Sequence, residues 1–217
     1  RLTAPVVAEG RVFVGSTDTH AVHCLDAAGG NLLWSRTVGG GIDTPPTLTR
    51  GLAVVGCRDG WVYAFRAADG ELAWRLRVAP EERFVVDDGQ FESAWPLHGS
   101  VLVMGGLIYC AAGRSSFLDG GIYLCAIEPD TGQVVHHARV GMPKSNDARS
   151  EGHPYWSDGS EAYLLVTGRQ RKNIYMAQEV LDRELNKVDA PITDQTGLRR
   201  MELHLAPMSD FTDDTWF

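Results

Sequence analysis

Two stretches of this chain repeat one another, and that constrains its fold more than any other feature. Residues 3–38 run Thr3-Ala4-Pro5-Val6-Val7, then Gly10, Val12-Phe13-Val14-Gly15, Asp18, Val22-His23-Cys24-Leu25-Asp26, Gly30, Trp34 and Val38. Residues 44–78 run Thr44-Pro45-Pro46-Thr47-Leu48, then Gly51, Ala53-Val54-Val55-Gly56, Asp59, Val62-Tyr63-Ala64-Phe65-Arg66, Gly70, Trp74 and Val78. A period of about 40 residues marks a repeat architecture. Residues that recur with the period build the unit. Residues that break it are the candidates for function.

Within each copy, short β-branched and aromatic runs are closed by turn clusters. Val12-Phe13-Val14 ends at Gly15, and Val54-Val55 ends at Gly56. The clusters Asp26-Ala27-Ala28-Gly29-Gly30 and Arg66-Ala67-Ala68-Asp69-Gly70 read as turns, each followed by a strand that ends at Val38 or Val78. No window in this half shows a 3.6-residue period, so each unit reads as about four antiparallel strands. A third copy is stretched. Its strands are 106–113, 123–127 and Val134–Val140, its turn is Glu128 to Gly132, and His136 takes the tryptophan position. Two insertions distinguish it, a charged run at 79–93 and a loop at 114–121.

Beyond Val140 the order weakens. Residues 162–167 and Asn173–Met176 read as strands of a fourth unit, and 198–205 as a further strand. Residues 178–185 read either as a short helix or as strand and turn, with Asn186 replacing glycine at the left-handed position. Four-stranded units at this spacing predict an all-β chain folded as a β-propeller. It forms a single partial domain over 1–217, with approximate blades at 3–43, 44–93, 94–140 and 155–217. About four blades do not close a ring, so free sheet edges and inter-blade apolar faces are expected, and these favour aggregation.

Composition narrows the partners. The 217 residues are 44% hydrophobic and 22% charged, enough apolar content for a core. The net charge of −8 disfavours nucleic acid, whose phosphates require clustered Lys and Arg. No apolar run approaches the roughly 18 residues of a membrane-spanning helix. Cys24, Cys57, Cys110 and Cys125 form no Cys-x-x-Cys pair and read as small buried hydrophobes. A disulfide between Cys110 and Cys125 across a hairpin stays open.

The spacing Cys24, Asp26, Gly30, Trp34, repeated as Ala64, Gly70, Trp74, resembles the tryptophan-docking motif of quinoprotein-type propellers, the PQQ-like repeat proteins. Copy two departs from it with Arg66 for Asp, and copy three with Glu128 and His136. The likeness is best over 3–140. It implies that Trp34 and Trp74 pack between adjacent blades, with Asp26, Gly30, Gly70 and Gly132 shaping the turns. A narrower likeness lies in 92–103, 112–121 and 211–216, which resemble large PQQ-like repeat proteins of planctomycete-type bacteria. It implies an extracytoplasmic, periplasmic-type location. Some members of the wider family are dehydrogenases that bind pyrroloquinoline quinone and Ca²⁺, while others keep the repeat and bind no quinone. A docking motif marks blades and not the cofactor. The dehydrogenases typically carry adjacent disulfide-bonded cysteines beside the quinone, and this chain has none.

Several polar or aromatic residues break the repeat. Glu92, Trp95 and His98 open the third copy, where the loop entering an innermost strand lines the channel mouth. Arg114, Ser115 and Asp119 belong to its inserted loop. These six are the expected ligand-binding residues. Asn146, Asp147, Arg149, Glu151 and His153 form a polar loop whose spacing matches no calcium loop. His136 and His137, adjacent on a strand, point to opposite faces and make no metal pair. Gly-x-Ser-x-Gly, His-Glu-x-x-His and phosphate-loop patterns are absent. The expectation is therefore a propeller segment acting as a binding or scaffold module, with no catalytic residue, metal or cofactor of its own. Its partners would be the remaining blades of a parent protein and a protein or glycan ligand. The alternatives are part of a PQQ- and Ca²⁺-dependent alcohol dehydrogenase, or the platform of a polysaccharide-active enzyme.

Overall fold

The computed structural model describes residues 1–87, 89–114, 118–140, 165–167, 173–176, 179–181 and 183–186. Three four-stranded antiparallel meanders follow one another along the chain. Sheet 1 holds β1 (Val6–Ala8), β2 (Arg11–Ser16), β3 (Ala21–Asp26) and β4 (Leu32–Thr37). Sheet 2 holds β5 (Thr47–Thr49), β6 (Leu52–Gly56), β7 (Trp61–Arg66) and β8 (Leu72–Arg77). A two-stranded hairpin, β9 (Phe84–Asp87) and β10 (Gln90–Ser93), occupies the first insertion. Sheet 3 holds β11 (Leu102–Met104), β12 (Leu107–Ala112), β13 (Ile122–Ile127) and β14 (Val134–Val140). The backbone of β15 (Leu165–Thr167), β16 (Asn173–Met176) and β17 (Glu179–Leu181) forms a three-stranded antiparallel sheet. This is the all-β blade architecture expected from the repeat.

The repeat extends to irregularities that the residue pattern does not reveal. The third and fourth strands of each meander slip register at one point: Cys24/Leu25, Ala64/Phe65 and Ala126/Ile127. The slip lies beside the pairs Cys24–Trp34, Ala64–Trp74 and Ala126–His136. One extra residue is thus accommodated just before each docking position, and such a bulge bends the outer strand and re-aims its side chains.

Trp34 then reaches sheet 2. Its indole N–H donates to the Ala67 carbonyl at 3.1 Å, and its ring lies 5.9 Å from Phe13 and 6.4 Å from Phe65. Trp74 does the same toward sheet 3, donating to the Pro129 carbonyl at 2.7 Å. The receiving turns carry Gly70 and Gly132 at φ +73 and +72. Sheet 2 is consequently covered on both faces. Ala53, Val55, Tyr63 and Phe65 pack with Phe13, Val22, Cys24 and Trp34, while Val54, Val62 and Ala64 pack with Trp95, Leu97, Ile108 and Cys110. That explains why residues 61–65 run apolar: a strand buried on both faces carries apolar residues at successive positions.

The end of the described chain resolves one open reading and corrects one expectation. Of the two readings of 178–185, residues 179–181 follow strand and turn and pair with β16. The left-handed turn residue is Leu185, at φ +63, and not Asn186. Leu185 is 4% exposed and joins the core of sheet 3 with Tyr109 and Leu124, and this burial offsets the backbone strain. Cys110 and Cys125 stand opposite each other in the β12–β13 ladder, and all four cysteines are free thiols.

Candidate functional site

The non-repeating polar residues meet where sheets 1, 2 and 3 and the inserted hairpin come together. Arg58 lies in the β6–β7 turn, Asp43 in the link from β4 to β5, and Glu92 in β10. His98 lies between β10 and β11, and Arg114 and Asp119 lie between β12 and β13. Backbone hydrogen bonds set this convergence. Arg58 N–H donates to the Gly41 carbonyl at 3.0 Å, and Ser93 N–H donates to the Arg58 carbonyl at 2.8 Å. Leu97 N–H donates to the Cys57 carbonyl, and Gly113 N–H to the Pro96 carbonyl. Buried Asp59 holds the β6–β7 turn by accepting from Trp61 N–H at 3.0 Å and from the Tyr63 hydroxyl at 2.5 Å.

Asp43 is the hub. Arg58 grips it as a fork, Nε to Oδ2 at 2.8 Å and Nη2 to Oδ1 at 2.9 Å, and His98 Nδ1 donates to Oδ2 at 2.7 Å. Burial by itself would raise the Asp43 pKa. The hydrogen bonds and charges of His98 and Arg58 outweigh burial and hold it at about 2.

Glu92 is the opposite case. It is 1% exposed, and neither carboxylate oxygen has a hydrogen-bond partner. Two guanidiniums and an imidazole face it at 3.8 Å: Arg58 Nη1 and His98 Nε2 toward Oε2, and Arg114 Nη1 toward Oε1. Burial pushes its pKa up, and His98, Arg58 and Arg114 only partly offset that. Arg114 Nε is likewise buried without a partner. Buried polar groups are normally satisfied, so orphans on two facing side chains mark this junction out.

A clasp borders the site. Arg83, just before β9, hydrogen-bonds Asp119, which Arg114 also approaches at 3.8 Å. Trp95 supports this clasp. It is 4% exposed, its indole N–H donates to the Asp119 carbonyl at 2.9 Å, and the Arg83 guanidinium covers its ring at 4.6 Å.

Of the six residues singled out in the sequence, the fold therefore gathers Glu92, Trp95, His98, Arg114 and Asp119. Ser115 lies outside the described residues, as does the polar stretch 146–153. Asp43, Arg58 and Arg83 lie outside those six. One signal for Asp43 was available: by the repeat, a carboxylate stands where the first copy has Leu2. Among the described residues, no group of three or more His, Cys, Asp and Glu side chains is placed to hold a metal ion, and no helix is long and apolar enough to cross a membrane.

A family model described as "Outer membrane protein assembly factor BamB", of the PQQ type, matches residues 2–187. Outer membrane protein assembly factor BamB of Burkholderia pseudomallei is 32% identical over 145 residues, covering 66% of this chain and 30% of that protein. Quinohemoprotein alcohol dehydrogenase ADH IIB of Pseudomonas putida is 27% identical, covering 82% of this chain and 32% of that protein. The crystal structure of quinohemoprotein alcohol dehydrogenase from Comamonas testosteroni superposes with a TM-score of 0.63 at 18% identity, covering 90% of this chain and 35% of that one. The chain thus spans about a third of the length of the relatives it matches. With its bulged meanders, its tryptophans seated on the next blade's turn and a family match over most of its length, the chain belongs to the PQQ-like β-propeller repeat proteins.

Proposed function

We propose that the chain is the blade-bearing part of an extracytoplasmic binding or scaffold module, with its ligand contacts at the junction around Asp43, Arg58, Glu92, His98 and Arg114. The observation that carries this reading is the separation of roles. Recurring residues such as Trp34, Trp74, Gly70 and Gly132 serve blade-to-blade packing, while non-recurring polar residues converge on one spot. The relative named an outer membrane assembly factor supports an extracytoplasmic place and a non-catalytic role. The narrower likeness to planctomycete-type repeat proteins belongs to the same reading.

The second reading, part of a quinone-dependent alcohol dehydrogenase, is favoured by the Pseudomonas and Comamonas relatives. The residues of this junction do not fit its cofactors. Calcium seeks several oxygen ligands, and the buried Glu92 carboxylate instead faces two guanidiniums and an imidazole. A quinone would need an open aromatic face, and the Trp95 ring is covered by Arg83. Reconstituting the intact parent with pyrroloquinoline quinone and Ca²⁺ tests the choice. The expected result is no dye-linked alcohol oxidation; sustained turnover would overturn the scaffold reading. Cell fractionation of the tagged parent checks the location.

A further inference from the structure

The junction carries a mismatch that points to a ligand. Asp43, Glu92 and Asp119 face Arg58, Arg83 and Arg114, so the carboxylates and guanidiniums balance. Hydrogen bonding does not balance. Both oxygens of Glu92 lack a donor, and Arg114 Nε lacks an acceptor. An added anion would face Glu92, and an added cation would face the guanidiniums of Arg58 and Arg114. The chemistry left is a neutral group that donates and accepts at the same atom, which is a hydroxyl.

The spacing favours two of them. Oε1 faces Arg114 Nη1 at 3.8 Å, while Oε2 faces Arg58 Nη1 and His98 Nε2 at 3.8 Å. An oxygen placed roughly 2.8 Å from both members of a carboxylate–guanidinium pair closes a triangle, donating to the carboxylate and accepting from the guanidinium N–H. One hydroxyl on each carboxylate oxygen is the pattern of a vicinal diol. We propose that Glu92, Arg114, Arg58 and His98 form an internal site for a neutral vicinal diol of the kind carried by sugars and polyols. The inference rests on the binding-module reading and gives its ligand class. Entry requires the Arg83–Asp119 clasp to part. Its side chains are 46% and 25% exposed, so water can replace their contact.

The test is calorimetric titration of the intact parent protein with methyl α-mannopyranoside and 1,2-propanediol, with 1,3-propanediol as the non-vicinal control. Saturable binding of the two vicinal diols, at least ten-fold weaker in Glu92→Gln and several-fold weaker in Arg114→Lys, is expected. Leu72→Ala, at an exposed position on β8, should bind as the parent does. Three results would overturn the site: no saturable binding by protein that still melts cooperatively, equal response to 1,3-propanediol, or binding unchanged in both Glu92→Gln and Arg114→Lys. In the first of them the orphaned atoms serve internal water alone. Loss of diol binding leaves the scaffold reading standing, whereas quinone-dependent turnover removes the scaffold reading itself.

Discussion

A Cβ on Gly70 would stand 2.6 Å from Cδ2 of Trp34, in the preceding sheet. The turn glycine and the docking tryptophan are thus one device, in which the missing side chain is the seat for the ring. Gly132 and Trp74 repeat it at 2.7 Å. Gly30 has a similar φ of +70 but nothing within 4 Å of the added carbon.

The three glycines should therefore separate cleanly. Gly30→Ala incurs only the left-handed backbone penalty, about 1 kcal/mol. Gly70→Ala and Gly132→Ala add overpacking against an indole, for about 2–4 kcal/mol in all. Urea unfolding of the intact parent and its variants would measure this. Equal losses at all three positions would contradict the seat.

Trp34 and Trp74 should differ in weight. Trp34 is 6% exposed, whereas Trp74 is only half-buried. Trp34→Ala should cost about 3–5 kcal/mol and Trp74→Ala clearly less. Trp34→Phe keeps most of the packing but leaves the Ala67 carbonyl without its donor, a loss of about 1–2 kcal/mol. Denaturant midpoints compared across the three variants would check the order.

Asp43 should contribute an acid-sensitive share of stability. Its folded pKa, about 2, lies below the unfolded value of about 3.9. The contribution is present above the unfolded value and is lost as pH falls from about 4 through about 2. Asp43→Asn should lower stability at neutral pH and flatten the melting temperature across that window. A variant with the parent's full acid slope would rule out Asp43 as its source.

Glu92 should behave in the opposite sense. Its folded pKa is raised by burial, so ionisation opposes folding as pH rises through that value. Glu92→Gln should be as stable as the parent or more so at pH 7–8, by about 1 kcal/mol, and should lose this advantage in acid. Thermal melts at pH 4 and pH 8 give the comparison. Marked destabilisation at both would show Glu92 to be a structural ion-pair partner. A gain in stability on removing a buried residue fits a side chain kept for binding.

Much of the blade was legible because its rules are local. The turn clusters at 26–30 and 66–70, the β-branched runs and the tryptophan spacing lie within a few residues of one another, and they specify strands and turns through side-chain alternation and left-handed glycines. Local rules also explain where the reading slipped. Leu185 takes the left-handed turn against its own preference because the core of sheet 3 buries it, and no neighbour in sequence could announce that.

The sequence by itself determined the all-β repeat, the blade unit, the seats for Trp34 and Trp74, and the list of residues that break the pattern. Only the tertiary structure decided which of those residues meet. His98 and Asp43 are 55 positions apart and 2.7 Å apart in space, and Arg83 closes on Asp119 across 36 positions. Such contacts depend on how successive sheets pack face to face, a relation set by the whole interface and not by any short stretch of chain. The same packing left Glu92 buried among cations without a hydrogen bond, a state that no residue pattern displays.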